Sequence, residues 1–478
     1  MSPCSSACGG CASDDGVIPV DGGHPRDGGG GRTGGGRPSR PPGPGEYGGE
    51  VNQSYENTPV DEQSAHEIED AGLRLALVDT SDADAFDGWI RADFRGFHGG
   101  APSKDVLEES RGHLADRRTT AVYDDDAPTA EPVGTVNSWI APLTVPGGVR
   151  LDSWAISSVT VSPTHRRRGI ARALLGGELR TAHRLGVPLA ILTVSESVIY
   201  GRWGFGPATF SAEWRVDTKR VRWAGGATGG RLSFTEPDAY RETGLAVLDA
   251  AMAARPGEIG LSPYLAERLI GPLKGSDHPD RFRLVRYDSP SGDPEGFVSF
   301  ALKAHDDFVR HTVEVNHLAA TTDAALTALW RFLLEMDLVS EVRAWTRGVD
   351  EPLPALVSDL RGAAVASVQD HLWVRILDVP AALTARRYER DGELVLDATD
   401  DLGFAAGRYR LTVTDGAATV SETSDAPDVT LPVASLGSVY LGHDFARALA
   451  VAGRIEGDVA ALDALFRTAV PPRLSTWF

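Results

Sequence analysis

Two stretches of this chain, about 160 residues apart, run through the same order of elements, and that repetition limits the fold more than any other feature. Residues 120–142 read as a strand, an Asp-rich turn and a strand led by Gly134, and residues 283–305 repeat the pattern. Next, Val159 and Val161 alternate with Thr160 and stop at Ser162-Pro163; Val313 and Val315 hold the same places in the second copy. Each copy then changes from period two to helical spacing, in the first through Ile170, Leu174, Leu175, Leu179, Ala182 and Leu185. Gly186 falls where that helix needs a C-cap, and residues 188–195 follow as a buried strand. Strands alternating with amphipathic helices in two matching sets predict two α/β domains in tandem.

The copies differ at the strand–helix turn. The first reads Thr164-His165-Arg166-Arg167-Arg168-Gly169-Ile170-Ala171; the second has NHLAATTDA, with neither arginines nor glycine. In a chain of formal charge −20, with 67 acidic and 47 basic residues, three consecutive arginines are a local exception. A helix N-terminus presents unpaired N–H groups and the positive end of the dipole, which suits a pyrophosphate. Gly169 lets such a ligand approach the backbone, and arginines add bidentate donors. The solvated basic turn is the alternative. No Gly-Lys-Ser/Thr follows, so this is not a P-loop. What the first copy binds here, the second should not. The acidic balance argues against nucleic acid as a partner and suits cationic small molecules.

The ends of the chain differ from the middle. The first 50 residues hold 16 Gly and 7 Pro, too little side chain to offset ordering entropy, so residues 1–66 are expected to be a disordered tail. Gly29-x-Gly31-x-x-Gly34 lies within it, with no strand before it or helix after it, and reads as a chance match. Cys4, Cys8 and Cys11 are the only cysteines, in C-x3-C-x2-C spacing without a following barrel pattern; a flexible tail is the expectation, and no metal site. Nothing from residue 12 onward can form a disulfide, which fits a reducing cytoplasm. No apolar run reaches the ~18 residues of a membrane span. Residues from about 374 read as a small α+β unit, with an Asp415-Gly416 hairpin turn.

Arg166-x-x-Gly169-x-Ala171 after Val159-Thr160-Val161 resembles the acetyl-CoA signature of the GNAT N-acetyltransferases. "SESVIYGRWGFGPATF" (Ser195–Phe210), "VSPTHRRRG", "LWVRILDVPAAL" and "LGSVYLG" are similar to the Eis (enhanced intracellular survival) family, over residues from about 68 to 478. The resemblance implies an α/β and α+β chain of three parts. These are a GNAT domain binding acetyl-CoA (67–213), a degenerate GNAT-like domain without that site (214–373), and a sterol carrier protein-like domain (374–478). It also implies a homohexamer.

By the same resemblance, Val159, Thr160 and Val161 bind the pantetheine, Arg167, Arg168, Gly169, Ile170, Ala171 and Arg172 hold the pyrophosphate, and Ser195 and Glu196 line the pantetheine side. Tyr200 matches the general acid that protonates the coenzyme A sulfur; packing beside Trp203 and Phe205 is the plainer reading. A tyrosine near pKa 10 protonating a thiolate near ~8.5 runs uphill by about 2 kcal/mol. The site must therefore lower the tyrosine pKa or couple the transfer to thiolate departure. The carboxylate of Phe478, the last residue, matches the general base. Trp154 is divided between the amine pocket and the core, and His305, His311 and His317 share no helical face. The implied acceptor is a cationic amine, aminoglycoside or polyamine, with a protein lysine as the rival. A lipid carrier acting through residues 374–478 is the reading from a different class.

Overall fold

The computed structural model describes residues 55–271, 282–307 and 309–478. The three cysteines and the Gly29–Gly34 stretch lie outside the described residues. In chain order the first unit runs α1 (Glu62–Asp70), β1 (Arg74–Leu77), α2 (Ala83–Gly96), α3 (Lys104–Leu114), β2 (Arg118–Tyr123), β3 (Gly134–Val145), β4 (Val149–Val161), α4 (Ile170–Arg184), β5 (Leu189–Thr193), α5 (Ser197–Tyr200) and β6 (Gly206–Pro207). Residues 55–66 are ordered, against the expectation of a tail to residue 66. Asp61 caps α1 by accepting from the Ser64 N–H, and takes further hydrogen bonds from Arg180 and Arg184 of α4, each at 2.7 Å. Ser64 donates to the Ala173 carbonyl at 2.6 Å. The partners that order this segment lie over a hundred residues away, so local composition could not reveal them.

The second unit contains β7 (Phe210–Asp217), β8 (Arg231–Thr235), α6 (Pro237–Ala253), α7 (Pro263–Ile270), β9 (Phe282–Asp288), β10 (Pro294–Lys303), β11 (His311–Ala320), α8 (Asp323–Leu334), β12 (Val339–Arg347), β13 (Ala363–Asp370) and β14 (Leu372–Ile376). The repeat seen in the sequence is a repeat of topology. In each copy two antiparallel pairs lead to a strand, a helix, and a further strand lying parallel to the one before the helix: β4 beside β5, and β11 beside β12. Gly134 opens β3 and Gly296 is the third residue of the equivalent β10, and a Cβ at either would strike the following helix, at Ile170 or Leu329.

The sheets exchange strands. The first has the order β1-β2-β3-β4-β5-β14-β6 and the second β13-β7-β12-β11-β10-β9-β8. β14 pairs antiparallel with β5, from Leu372 opposite Thr193 to Ile376 opposite Leu189. Divisions after residues 213 and 373 therefore each fall inside a strand. The third unit is a five-stranded sheet formed by β15 (Gly392–Thr399), β16 (Gly407–Thr414), β17 (Ala417–Glu422), β18 (Val429–Pro432) and β19 (Glu456–Gly457), with short helices. Its helix Val433–Tyr440 packs on β14 so closely that a Cβ on Gly437 would meet the Val374 carbonyl. One apolar core runs from Leu189 and Ile191 of β5 through β14 into this unit.

Candidate active site

The site begins at a break in β4. Between the pairs Thr135–Thr160 and Asn137–Ser157, β4 carries two residues against one on β3, a bulge in which Ser158 takes φ 54°. The parallel pairing of β4 with β5 covers only Trp154–Ile156 against Ala190–Leu192. Past the bulge the two strands part, and Val159, Thr160 and Val161 have no ladder partner on that side. Thr160 is pinned sideways, its Oγ1 2.6 Å from Thr135 Oγ1 and its methyl against Gly96, which has no room for a Cβ.

The turn that follows is left-handed at Arg167 (φ 66°) and at Gly169 (φ 82°). Gly169 is the N-cap of α4 and has no side chain with which to satisfy the first N–H groups, so those of Ile170 and Ala171 remain open to a ligand. The second copy has filled the same place. Thr322 Oγ1 caps α8 by accepting from the Ala325 N–H at 3.2 Å, and it donates to the Glu295 carboxylate at 2.8 Å. The arginines divide. Arg168 donates to the Ala71 carbonyl at 2.5 Å and Arg172 stands 3.6 Å from Glu67, which ties the turn to α1. Arg166 and Arg167 are exposed. His165, 2.9 Å from Asp124, braces the turn against the loop after β2.

Ser195 and Glu196 are exposed beyond the end of β5, and Tyr200 is buried at the end of α5. The segment after Tyr200 is held by Arg375 of β14, whose Nε donates to the Trp203 carbonyl at 2.6 Å while Nη2 bridges both oxygens of Asp400 at 2.8 Å. Burial and the charge of Glu196 raise the Tyr200 phenol above its ordinary pKa, against a weaker pull from a Ser195 hydrogen bond. The site therefore does not lower the Tyr200 pKa.

The C-terminal tail is threaded to the same place. Arg473 N–H donates to the Pro256 carbonyl, and Glu258, fully buried, accepts from Arg473 Nε (3.2 Å), Ser475 N–H (2.9 Å) and Ser475 Oγ (2.9 Å). Glu258 is lashed to β3 in turn, its carbonyl accepting from the Thr144 N–H at 2.8 Å. Trp477 stacks on the buried His371 at 4.3 Å, and its carbonyl accepts from Arg268 at 3.0 Å. Phe478 meets the Trp139 ring edge-on at 5.4 Å, and its terminal oxygen accepts from Thr193 Oγ1 at 2.7 Å. Thr193 ends β5, where β5 has already left β4. The carboxylate and Tyr200 therefore stand at the two ends of one short segment, residues 193–200.

On this face of the sheet Asp93 of α2 hydrogen-bonds Ser158 in the bulge, while its Oδ1 is buried with no hydrogen-bond partner. Burial pushes its carboxyl up to about 7. Trp154 lies on the opposite face, fully buried in the core and donating to Glu178 at 3.2 Å. Sequence reasoning missed Asp93, Thr193, Glu258 and His371. Only Asp93 left a trace, as a carboxylate continuing the apolar stripe Phe86, Trp89, Ile90 at helical spacing.

Residues 78–208 and 267–376 each match the acetyltransferase (GNAT) domain family, and residues 379–475 match the sterol carrier protein domain family. The chain is 38% identical over 413 residues to an uncharacterised N-acetyltransferase of Streptomyces avermitilis, covering 83% of this chain and 96% of that one. It is 35% identical over 370 residues to the N-acetyltransferase Eis of Mycobacterium tuberculosis, covering 73% and 87%. Among solved structures, Eis1 from Mycobacterium abscessus superposes with a TM-score of 0.71 at 29% identity, covering 85% of this chain and 100% of that one. Two GNAT domains with a sterol carrier-like unit behind them, and these relatives, make the chain an acetyltransferase belonging to the Eis family.

Proposed function

We propose that the chain transfers the acetyl group of acetyl-CoA directly to an amine of a small cationic molecule, of aminoglycoside or polyamine type. The observation that carries this reading is the Phe478 carboxylate held on Thr193 beside the parting of β4 and β5. The residues present fit acetyl-CoA: an uncapped helix N-terminus behind Gly169, Arg167 with no ion pair among the described residues, and strand backbone from Val159 to Val161 without ladder partners on the β5 side. Bound there, acetyl-CoA supplies an activated thioester. The carboxylate of Phe478 accepts the proton that the ammonium must lose before it can attack, and a carboxylate beside an ammonium is well placed for that. Tyr200 keeps its proton until the sulfur leaves. Asp93, ionised above about pH 7, attracts the cationic acceptor there. The second copy, with Thr322 and Glu295 at the equivalent helix end, serves as scaffold, and the resemblance extends to a homohexamer in the cytoplasm.

A lipid carrier is poorly served by the third unit. Its centre is occupied by the buried Arg386, which donates to the Tyr440 and Phe466 carbonyls and is ringed by Tyr388, Tyr440 and Phe466. The test is acetyl-CoA turnover, read by free thiol release, against aminoglycosides, polyamines and a lysine peptide. Turnover with the small amines, abolished by one residue added after Phe478, is the expected result. Preference for the peptide moves the acceptor to protein lysines, and coenzyme binding without turnover of any amine overturns the transferase reading.

A further inference from the structure

The buried arginines of this chain follow a rule that one of them breaks. Arg118 pairs with Glu178, Arg347 with Glu351, Arg375 with Asp400, and Arg386 spends its N–H groups on two carbonyls. Arg117 is equally enclosed, 8% exposed, yet it has no carboxylate within ion-pair distance among the described residues. Its guanidinium lies 3.6 Å over the Trp139 ring and makes one long hydrogen bond, 3.4 Å, to Asn137 Oδ1. Burial brings its pKa down to about 10. Leaving a desolvated cation unpaired is costly, so the missing counter-ion calls for an explanation.

A second cation stands close enough for the two to repel. Arg268 of α7 donates one N–H to the Trp477 carbonyl and lies beside the Tyr264 ring, again without a carboxylate partner among the described residues. Asp116 and Asp93 act on Arg117 only through space, with no ion pair formed. Nor does the Phe478 carboxylate lie within ion-pair distance of either arginine; it accepts a hydrogen bond from Thr193 Oγ1. Trp139 meanwhile touches Arg117 on one side and Phe478 on another. Two underpaired guanidinium groups thus flank the place where the proton of the acceptor amine is taken.

We propose that the acceptor carries an oxyanion, a carboxylate or a phosphate, in addition to its amine, and that Arg117 and Arg268 hold that oxyanion while the amine faces Phe478. The inference rests on the transferase reading but departs from its acceptor class, setting an amino acid or amino phosphate ahead of an aminoglycoside or polyamine. Planar forked donors suit either anion.

The experiment compares matched pairs: L-lysine with cadaverine, phenylalanine with phenethylamine, and phosphoethanolamine with ethanolamine. For the native chain kcat/KM is expected to be at least tenfold higher for the anionic member of one pair or more, the amino acids and the amino phosphate telling carboxylate from phosphate. In Arg117→Gln that ratio should fall towards unity, and Arg117→Lys should restore part of it. Equilibrium binding of the same pairs to the coenzyme A complex is measured in parallel. Anionic members that neither bind nor react better in any pair overturn the inference, as does a ratio unchanged in Arg117→Gln. Loss of all turnover with the binding preference intact would instead sink the transferase reading and leave the oxyanion site standing.

Discussion

Replacing Glu258 with alanine separates the tail from the site without touching a reacting group. Glu258 accepts three hydrogen bonds from Arg473 and Ser475, and no water-exposed surface is available to replace it. Once it is gone, Arg473 keeps only Glu351, at 3.8 Å, and the Ser475 N–H is left buried and unmet. Breaking a buried ion pair by removing one partner costs about 3–5 kcal/mol, and an unsatisfied buried donor about 1–3 kcal/mol more. Even the lower end of that sum, about 4 kcal/mol, shifts the docking equilibrium of the tail by roughly a thousandfold. The rest of the chain does not hang on this contact, so the damage should be local. Hydrogen exchange is expected to show residues 471–478 opening while β3 and β4 stay protected. Turnover with the best amine found should drop at least tenfold, with the acetyl-CoA KM held within about twofold because binding and chemistry are then separated. Glu258→Gln, which keeps one acceptor in place, should fall between. Full turnover in a protein whose tail is shown to be released would refute the role of the Phe478 carboxylate. Full turnover with the tail still docked would refute the energetics assigned to Glu258.

Three further substitutions probe the site from other sides. Asp93, pushed up to about 7, binds a proton in the folded chain that the unfolded chain has lost, so it erodes stability as pH rises from about 4 to 7. Asp93→Asn should raise the Tm at pH 8 by the equivalent of up to about 4 kcal/mol and weaken binding of amines; a Tm equal to that of the native chain at pH 8 counts against the assignment. His371 is held neutral by burial, down to about 4, so its contribution is complete above about 6.5 and is lost as pH falls through 4. His371→Phe keeps the stack on Trp477 and should hold its turnover further into acid than the native chain; identical acid limbs of the pH profile would count against it. Gly169→Ala places a Cβ at φ 82°, at a cost of about 1 kcal/mol, and should raise the acetyl-CoA KM more than it lowers kcat, as read by initial rates.

The strand, turn and helix around Gly169 were legible because everything that specifies them is local: alternation, a stop at Ser162-Pro163, then helical spacing. The second copy lacks the arginines and the glycine by letter, and at the equivalent helix end the structure has Thr322, bonded to the Ala325 N–H and to Glu295. Phe478 was reached only through resemblance, since a terminal aromatic says nothing of where it docks. Glu258 was invisible in the sequence. A lone carboxylate after Pro256-Gly257 gains its meaning from a tail more than two hundred residues onward. The order of residues 55–66 was missed for the same reason. In α1 only Ser64 and Ile68 are buried, and the segment is held by ion pairs to α4 together with Tyr55 and Ile68 packing on the core of the first unit. The exchange of β7 and β14 between sheets is likewise unreadable, because a short apolar strand carries no label for the sheet it will enter.

That exchange has a consequence for synthesis. As the chain leaves the ribosome, the first sheet stays one inner strand short until residues 372–376 emerge, after the whole second unit has been made. Until then β5 offers a bare edge whose N–H and C=O groups can pair with any passing strand. Fragments ending near residue 208, which appear complete as domain matches, should inherit that open edge permanently and aggregate. The smallest segment able to close the first sheet with its own strands runs through Ile376.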